Sequence, residues 1–414
     1  MKVIYLHQYF ATRNSTTATR TYEIAKKLVQ KGHQVTMITT DAFLESEIPF
    51  KTTHYYREYL IDGIVVKAQR NHYENKMGFY RRTWAFLKYM HFAYIQGRKS
   101  DGDLLLATST PLTIAIPTLM LHVSKSLDYI FEVRDLWPEA PKQMGIIKNP
   151  ILLKGLSYLE RTVYRHAKHI ISLSPGMTEG ILAQGIKRQK VTMIPNFSDL
   201  SLFQPQHIQT ELQAELIKQL KLQDKFVLLH LGAMGEANGL MYLIEAAKIL
   251  QKKGQQQIVI IIGGDGKVRA SLQQACQSAG LTNVLLTGYI KRKNVPTMTS
   301  IANITMTSFK NLPVLATNSP NKFFDALAAG KPIIVNANGW TKEIVEKNQI
   351  GYYVRPTHPE DLALLLVTLQ NKKQALRALA PKIRAIAQQN YSAEHLTDQV
   401  ETILVQQWRN IHEN

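Results

Sequence analysis

Cysteine is almost absent from this sequence, and long apolar runs are absent too. Cys276 is the one thiol among 414 residues, which excludes an internal disulfide and a zinc site built from cysteines. We therefore expect a reducing, cytoplasmic setting and an inert thiol. The longest apolar tract, residues 111–123, is too short to cross a bilayer, and residues 1–6 lack the features of a secretory signal. We expect neither export nor a membrane span.

Acidic residues are also scarce. The chain has 31 Asp and Glu against 50 Lys and Arg, a formal net charge of +19. Such an excess suits nucleic acid, an anionic membrane surface or phosphate-bearing substrates. Because the sequence lacks the aromatic signatures of RNA-binding modules, nucleic acid is the least favoured of the three.

Short apolar runs alternate with helical patterns along the whole chain, which predicts an α/β fold with parallel sheets covered on both faces. The turn-rich segment 195–205 interrupts the pattern, so we predict two doubly wound, Rossmann-like domains over residues 1–199 and 200–392. Ligands of open α/β sheets bind beyond the carboxyl ends of the strands, and we expect a site in a cleft between the two sheets. The predicted strands span residues 3–7, 34–39, 104–108, 129–133, 169–173, 191–194, 226–231, 258–262, 284–287, 304–307 and 333–335.

Two glycine-rich turns follow predicted strands of the second domain. Residues 263–266 stand between a strand and a helix, where backbone N–H groups can approach a phosphate, although glycines also serve plain turns. Residues 232–239 contain three glycines in eight positions, which favours a loop pressed against a ligand.

Residues 319–330 predict a helix whose first turn carries a positive charge. Ser319 is suited to the N-cap, and Pro320 to the first helical position. Lys322 lies in the first turn, where helix preference would favour an acid. One interpretation is a phosphate site; the other is a capped helix with a Lys322–Asp325 pair.

Residues 79–99 combine seven aromatic and five basic side chains and contain no acid. This composition fits a helix at a lipid headgroup layer, with Arg81, Arg82, Trp84 and Lys88 as the contacts. A helix packed on the sheet, with its basic residues in water, fits equally well.

Taken together, the motifs resemble the retaining GT-B glycosyltransferases of family four, in particular the bacterial surface-polysaccharide branch that includes L-fucosamine transferases. The resemblance covers nearly the whole chain. It rests on the ordered set HQYF at 7–10, GHQV at 32–35, RDLWPE at 134–139, IPN at 194–196, GGDG at 263–266 and SPNKFFD at 319–325.

The resemblance implies that the second domain binds a nucleotide diphosphate sugar. Asp325 falls where the family's motif places a glutamate for the ribose, and Lys322 is expected to stabilise the departing diphosphate. The implied donor-binding residues are Asp325, Asn321, Ser319, Asn318, Gly232, Gly235, Asn238, Gly266, Tyr289 and Lys291. The family's usual acid, arginine and lysine are replaced here by Thr317, Ala233 and Asn238.

The resemblance also implies that the first domain holds the acceptor. The expected acceptor-binding residues are Ser15, Thr16, Arg20 and Glu139, and the expected catalytic residues are Lys322, Arg134 and Asp135. Arg134 stands where the family often has a histidine, and Arg134 and Asp135 could instead form a structural ion pair. A C-terminal helix at about 393–414 is expected to pack back on the first domain.

The implied reaction is metal-independent transfer with retention, from a UDP-sugar to a polyprenyl-diphosphate-linked saccharide, with no cofactor. An N-acetylated amino sugar is the suggested donor, and the expected location is the inner face of a bacterial cytoplasmic membrane. Two alternatives stay open: a nucleotide-sugar epimerase on the same fold, and a catalytically silent, membrane-associated binding protein.

Overall fold

The computed structural model describes residues 1–15, 19–70, 79–109 and 111–412, with residues 79–82 and 412 described by their backbone alone. The chain divides into two compact units. The first comprises Met1–Pro195 and Glu394–Asn414, and the second comprises Asn196–Ala393.

The first unit is built on a nine-stranded sheet. Its strands are β1 (Lys2–Leu6), β2 (Gln34–Thr40), β3 (Lys51–Thr52), β4 (Tyr56–Ile61), β5 (Ile64–Gln69), β6 (Leu104–Thr108), β7 (Tyr129–Val133), β8 (His169–Ser172) and β9 (Val191–Met193). The strand order is β3-β4-β5-β2-β1-β6-β7-β8-β9. All neighbouring pairs are parallel except β3–β4 and β4–β5. The carboxyl ends of β1, β6 and β7 therefore meet side by side at one edge.

Helices link these strands and cover the sheet. They are α1 (Arg20–Gln30), α2 (Phe79–Lys99), α3 (Ala115–Lys125), α4 (Glu139–Gln143), α5 (Pro150–His166) and α6 (Pro175–Leu182). A further helix, α17 (Ala393–His412), joins this unit through an ion pair of Asp398 with Lys27 at 3.1 Å and a contact between Glu401 Oε1 and His33 Nε2 at 3.1 Å.

The antiparallel hairpin β4–β5 was not predicted, although the sequence carries its signal. Asp62 and Gly63 both adopt positive φ, at 48° and 80°. Such values belong to a two-residue hairpin turn, for which Asp-Gly is a preferred pair. The flanking residues alternate, with Tyr59 and Ile61 buried on one strand and Ile64 on the other. Together with β3, the hairpin forms one edge of the sheet, next to β2.

The second unit holds a six-stranded, fully parallel sheet in the order β12-β11-β10-β13-β14-β15. Its strands are β10 (Phe226–Leu231), β11 (Ile258–Gly263), β12 (Val284–Gly288), β13 (Ile304–Thr307), β14 (Ile333–Val335) and β15 (Gly351–Tyr353). Its helices are α7 (Thr210–Gln219), α8 (Met241–Lys252), α9 (Arg269–Ser278), α10 (Val295–Ser300), α11 (Pro313–Ala316), α12 (Asn321–Ala329), α13 (Trp340–Lys347), α14 (Pro359–Leu369), α15 (Lys373–Ala378) and α16 (Ala380–Tyr391).

Both sheets are filled by aliphatic side chains, as buried parallel strands require. In the second unit, residues of β10 and β11 such as Leu228 and Ile260 are fully buried and pack with Leu243 of α8. All eleven predicted strands are present within a residue or two of their predicted ends, while β15, like the hairpin, was missed. The predicted fold class, two doubly wound parallel-sheet domains, is confirmed.

Candidate active site

Two glycine turns at the carboxyl edge of the second sheet lie against each other. Gly232 N–H donates to the Gly263 carbonyl at 2.9 Å, and Met234 N–H donates to the Asp265 carbonyl at 2.9 Å. At Gly264, where φ is +139°, an added Cβ would lie 1.8 Å from the Gly232 carbonyl oxygen. The close contact between the two turns therefore requires glycine at position 264. Contact of Gly232, Gly235 and Gly266 with the donor substrate stays a prediction.

Lys322, in the first turn of α12, reaches the glycine turn that follows β10. Its Nζ donates to Asn238 Oδ1 at 2.6 Å and lies 3.3 Å from His230 Nε2. Among the described residues, no carboxylate oxygen lies within 4 Å of this nitrogen. Burial lowers the pKa of Lys322 to about 7. The site therefore presents a desolvated amine for which the described residues provide no bonded counter-ion.

His230 is a site residue that the sequence analysis missed. It is fully buried near the end of β10, and its Nδ1 lies 3.0 Å from the Met306 carbonyl. Because a carbonyl only accepts, Nδ1 carries the proton, and Nε2 is left to accept from Lys322. Burial, together with the charge of Lys322, holds the pKa of His230 well below its usual value. A polar residue inside an otherwise apolar strand was the signal for it.

Asp325 is held by Arg292, a second residue that the sequence analysis missed. The two Nη atoms of Arg292 donate to the two carboxylate oxygens at 2.6 and 2.8 Å, and both side chains are mostly buried. The guanidinium also lies over the ring of Phe203, at 5.8 Å from its centroid. The alternative of a Lys322–Asp325 pair is therefore wrong, because each residue has a different partner.

The start of α12 differs from its prediction. Pro320 occupies the N-cap position, and the helix begins at Asn321. Ser319 does not cap the helix; its Oγ accepts from Asn196 N–H at 3.1 Å, and its carbonyl accepts from Asn196 Nδ2 at 2.6 Å. The carbonyl of Asn318 accepts from Trp340 Nε1 at 2.7 Å. These bonds fix the segment that leads into Lys322.

Two further predicted donor residues follow β12. Tyr289 is 51% exposed, and Lys291 is exposed at the start of a short 3₁₀ turn, Arg292–Asn294, that carries Arg292. Both lie at the edge of the sheet to which the glycine turns belong. Their contact with a base stays a prediction.

In the first unit, Arg134 lies where β7 ends. Its N–H donates to Ser109 Oγ at 3.1 Å, and Nη1 lies 3.4 Å from His7 Nε2. Among the described residues no ion pair joins Arg134 to Asp135, so the alternative of a structural pair is wrong. Burial raises the pKa of Asp135 to about 6, against the opposing charge of Arg134.

Arg20 has a different role from the predicted one. It is 2% exposed, and its Nε donates to Glu132 Oε1 at 2.8 Å while Nη1 and Nη2 donate to the carbonyls of Pro195 and Ile194. The guanidinium is committed to this internal network, so the prediction that Arg20 contacts the acceptor is corrected. Glu132 also accepts from Thr108 Oγ1 at 2.8 Å.

Of the other predicted acceptor residues, Ser15 and Glu139 lie in the described part of the chain. Ser15 is 7% exposed, and its Oγ has no hydrogen-bond partner among the described residues. Glu139 begins α4 and bonds to Gln143 and Lys142 at 2.8 and 3.1 Å, which holds the pKa of Glu139 below its usual value. Thr16 lies outside the described residues.

Comparison with known proteins places both units in one enzyme class. Residues 213–404 match the family model described as Glycosyl transferases group 1, and residues 15–196 match the Glycosyl transferase 4-like domain. Both are glycosyltransferase domains. The expectation of a glycosyltransferase is therefore confirmed, while membership of the fucosamine-transferase branch stays a prediction.

Solved structures of this class share the fold. The chain resembles the sucrose-phosphate synthase of Thermosynechococcus elongatus, with a TM-score of 0.76, 16% identity and 99% of both chains covered. It resembles Anabaena HepE in complex with UDP-glucose, with a TM-score of 0.68, 18% identity and coverage of 98% of this chain and 100% of that one. These likenesses support the GT-B architecture.

Among curated proteins, the chain is similar to the alpha-galactosylglucosyldiacylglycerol synthase of Streptococcus pneumoniae. The two are 25% identical over 261 residues, which cover 61% of this chain and 65% of the relative. The chain spans between 47% and 65% of the length of the first curated relatives that it matches.

The glycosyltransferase chain also carries an exposed apolar and basic surface in its first unit, which we name the three-helix face. α3 contacts both α2 and α5. Its exposed apolar members are Trp84, Leu87, Ile116, Met120, Val123, Ile151, Leu152 and Tyr158. α2 and α3 contain no acid, and Glu160, the one acid of α5, is 4% exposed.

Helix α2 packs on the sheet, as one interpretation predicts, and its contact with lipid stays a prediction. Tyr89 and Phe92 are buried against the sheet, whereas Trp84 is 60% exposed, with Lys88 Nζ 5.8 Å from its ring centroid. The side chains of Arg81 and Arg82 lie outside the described residues. No helix in the described part of the chain is long and apolar enough to cross a membrane.

Proposed function

We propose that this protein transfers a sugar, with retention of configuration, from a UDP-sugar to a polyprenyl-diphosphate-linked saccharide during bacterial surface-polysaccharide synthesis. The observation that carries the proposal is Lys322, a largely desolvated amine with no carboxylate within 4 Å among the described residues. Such a cation is suited to a diphosphate. The presence of UDP-glucose in the Anabaena HepE structure supports a UDP-sugar donor.

In the proposed reaction Lys322 stabilises the negative charge that grows on the departing diphosphate. Asn238 and His230 hold Nζ without neutralising it, because one offers an amide oxygen and the other a neutral imidazole nitrogen. The first turn of α12 adds the positive end of a helix dipole. Preorganised charge of this kind is a major source of catalytic power, since it needs no rearrangement as the bond breaks.

Asp325 is proposed to accept hydrogen bonds from the ribose hydroxyls. A carboxylate offers about four acceptor positions, and Arg292 occupies one on each oxygen. The remaining lone pairs are available to a diol, while the bidentate pair fixes the plane of the carboxylate. Arg292 is thus a positioning residue for Asp325.

The proposed chemistry needs no enzymic nucleophile. The diphosphate oxygen that leaves the anomeric carbon takes the proton from the attacking hydroxyl, so the new bond forms on the face that the old bond leaves. Arg134 and Asp135 are proposed to face the reacting sugar, and Ser15, Thr16 and Glu139 the acceptor. The proposed donor is an N-acetylated amino sugar, and the reaction is proposed to be metal-independent.

The donor proposal is tested by calorimetry with UDP and a panel of UDP-sugars. Wild type should bind UDP, and Lys322→Ala should weaken it about 10- to 100-fold, because a hydrogen bond from a charged donor contributes roughly 1.5–3 kcal/mol. Lys382→Ala, which changes an exposed lysine of α16, is the matched control. Equal affinity in wild type and Lys322→Ala would refute the site.

The reaction class is tested by NMR of the products. Slow release of UDP from a donor without acceptor, together with retention of the donor's anomeric configuration in the product formed with an acceptor, supports a retaining transferase. Inversion of a sugar stereocentre in the nucleotide sugar itself would establish the epimerase. Saturable binding without turnover on any lipid-linked acceptor would establish the silent binding protein.

We further propose that the three-helix face lies on the anionic inner surface of the cytoplasmic membrane, where the lipid-linked acceptor is found. Ile116, Met120 and Val123 follow helical spacing, so they share one side of α3. Exposed Lys154, Arg161 and the other basic residues meet no exposed acid on these helices. The name of the curated relative, a diacylglycerol glycolipid synthase, supports a lipid-borne acceptor.

Sedimentation with liposomes containing phosphatidylglycerol tests this surface. Reversing Arg81, Arg82 and Lys88 to Glu should weaken binding at least tenfold, because each basic residue near an anionic surface contributes about 1 kcal/mol. A matched variant reverses three exposed lysines of the second unit, Lys252, Lys253 and Lys347. Equal binding by the two variants would refute the membrane surface.

A further inference from the structure

Three residues converge at the carboxyl edge of the first sheet. His7, Ser109 and Arg134 each directly follow a strand, respectively β1, β6 and β7, and these strands are neighbours. Arg134 contacts both of the others, with its N–H on Ser109 Oγ and its Nη1 on His7 Nε2. In open α/β sheets ligands bind at this edge. The cluster therefore occupies a position suited to a substrate.

Arg134 has no bonded counter-ion in the described part of the chain. Glu132, the carboxylate two residues earlier on β7, is 1% exposed and is engaged by Arg20 at 2.8 Å. Among the described residues, neither Glu132 nor Asp135 forms an ion pair with Arg134 within 4 Å. One of its five N–H donors contacts His7, and the described side chains provide no partner for the rest.

His7 fixes the guanidinium without compensating its charge. The ring is 3% exposed, with Nδ1 3.0 Å from Thr21 Oγ1. Because Arg134 can only donate, Nε2 accepts and Nδ1 carries the proton. Burial first, and the charge of Arg134 second, hold the pKa of His7 well below its usual value. The imidazole is therefore a neutral acceptor that orients the arginine.

Unpartnered polar groups in the same segment also indicate a ligand. Gln8, next to His7, is 1% exposed, and neither its Oε1 nor its Nε2 has a hydrogen-bond partner among the described residues. The Oγ of Ser15, which is 7% exposed, likewise has none there. Buried polar side chains without partners are rare in folded proteins. Two such side chains lie in the first loop, where a bound molecule could supply hydrogen-bond partners.

We propose that Arg134, oriented by His7 and Ser109, binds an oxyanion of a substrate, either a carboxylate or a phosphate. The inference rests on the proposed transferase function and deepens it by assigning charge to a substrate. The oxyanion has two possible sources: the carboxylate of a donor in which the N-acetylated amino sugar is also a uronic acid, or the diphosphate of the lipid-linked acceptor. A planar guanidinium with free donors suits both, since it pairs with either group through two parallel bonds.

Calorimetry on the full chain with four probes tests the proposal: UDP, UDP-glucose, UDP-glucuronate and geranyl diphosphate. Arg134→Gln should leave the Kd of UDP within twofold and weaken one anionic probe about 10- to 100-fold. If Arg134→Gln loses affinity for UDP-glucuronate but not for UDP-glucose, the oxyanion belongs to the donor sugar. Loss of geranyl diphosphate binding assigns it to the acceptor. Arg409→Gln, an exposed arginine of α17, is the matched control.

Two results would overturn the inference: unchanged affinity of both anionic probes in Arg134→Gln, or no binding of either probe to wild type. If Arg134→Gln does not fold, Arg134→Lys keeps the charge but loses the planar pair of donors, and it should weaken the same probe about fivefold. Unchanged affinity there also overturns the inference. Failure of UDP to bind wild type would instead count against the proposed transferase function, so the two failures are distinguishable.

Discussion

Raising the pH from 7 to 8.5 should weaken UDP binding to the wild-type protein, because the amine of Lys322 must be protonated to bind a diphosphate. Burial lowers the pKa of this amine to about 7 from a usual 10.5. In the free protein it is therefore losing its proton just above neutrality. A bound diphosphate favours the charged form of Lys322, so binding of UDP at alkaline pH should be coupled to uptake of a proton by Lys322.

The size of the effect follows from the pKa. With a free-state pKa of about 7, the charged fraction of Lys322 falls from one half at pH 7 to about 3% at pH 8.5. The apparent Kd should therefore rise about 16-fold over this range, and binding at pH 8 should take up about 0.9 proton. The range begins at pH 7 because a terminal phosphate itself titrates near pH 6.

The same linkage fixes the sign of the effect on stability. Between pH 7 and 10.5 the unfolded chain keeps the Lys322 proton and the folded chain does not. The free energy of unfolding therefore gains a contribution from this residue as the pH rises through that window. Alkaline pH should therefore raise the free energy of unfolding of the ligand-free chain while it lowers the affinity for UDP.

Titration calorimetry at pH 7, 7.5, 8 and 8.5, in two buffers of different ionisation enthalpy, measures both affinity and proton uptake. Lys322→Met should bind weakly with no alkaline slope. Lys331 is a close control, because burial also lowers its pKa, to about 8, yet its Nζ donates to the carbonyls of Ser300 and Ala302. Lys331→Met should keep the wild-type slope. A wild-type slope equal to that of Lys322→Met would refute the reasoning.

Three further changes test the framework around the site. Arg20→Met should lower the free energy of unfolding of the first unit by about 3–5 kcal/mol, since it leaves Glu132 buried without its partner. Denaturant titration followed by hydrogen exchange measures this change, and a loss below 1 kcal/mol would contradict the prediction. Arg292→Lys should reduce the preference for UDP over 2′-deoxy-UDP several-fold, because Asp325 loses its bidentate partner. Competitive binding measures this preference, and an unchanged ratio of the two affinities would argue against contact between Asp325 and the ribose. Gly264→Ala should lower the melting temperature measurably, because its Cβ would lie 1.8 Å from a backbone oxygen; a wild-type value would show that the two turns separate at little cost.

The sequence predicted the strands well where burial on both faces leaves a continuous apolar run. Ile258–Gly263 and Leu104–Thr108 are examples, since parallel strands covered by helices expose no polar alternation. The hairpin around Asp62 and Gly63 was missed because its alternation contains Tyr, Arg and Lys residues that blur the apolar pattern. The Asp-Gly pair between the two strands was the decisive local signal.

Side-chain partners were less predictable than elements. Lys322 was correctly singled out as a cation in an unusual position, but the partner of Asp325 comes from a segment 33 residues earlier in the chain. Such pairings depend on how strands are ordered in the sheet. Arg20 was misjudged for the same reason, because sequence alone does not reveal that a charge near a predicted loop is buried beside Glu132.

The network around Arg20 has a consequence for how the protein is made. Its guanidinium bonds to the carbonyl of Pro195, 175 positions later in the chain, and the first unit also includes Glu394–Asn414. A ribosome that has synthesised only the first hundred residues holds a chain in which this arginine has neither its carboxylate nor its carbonyl partners. Since domains fold as units during synthesis, the first unit should be completed late, because α17 can dock only after residues 393–412 have been synthesised.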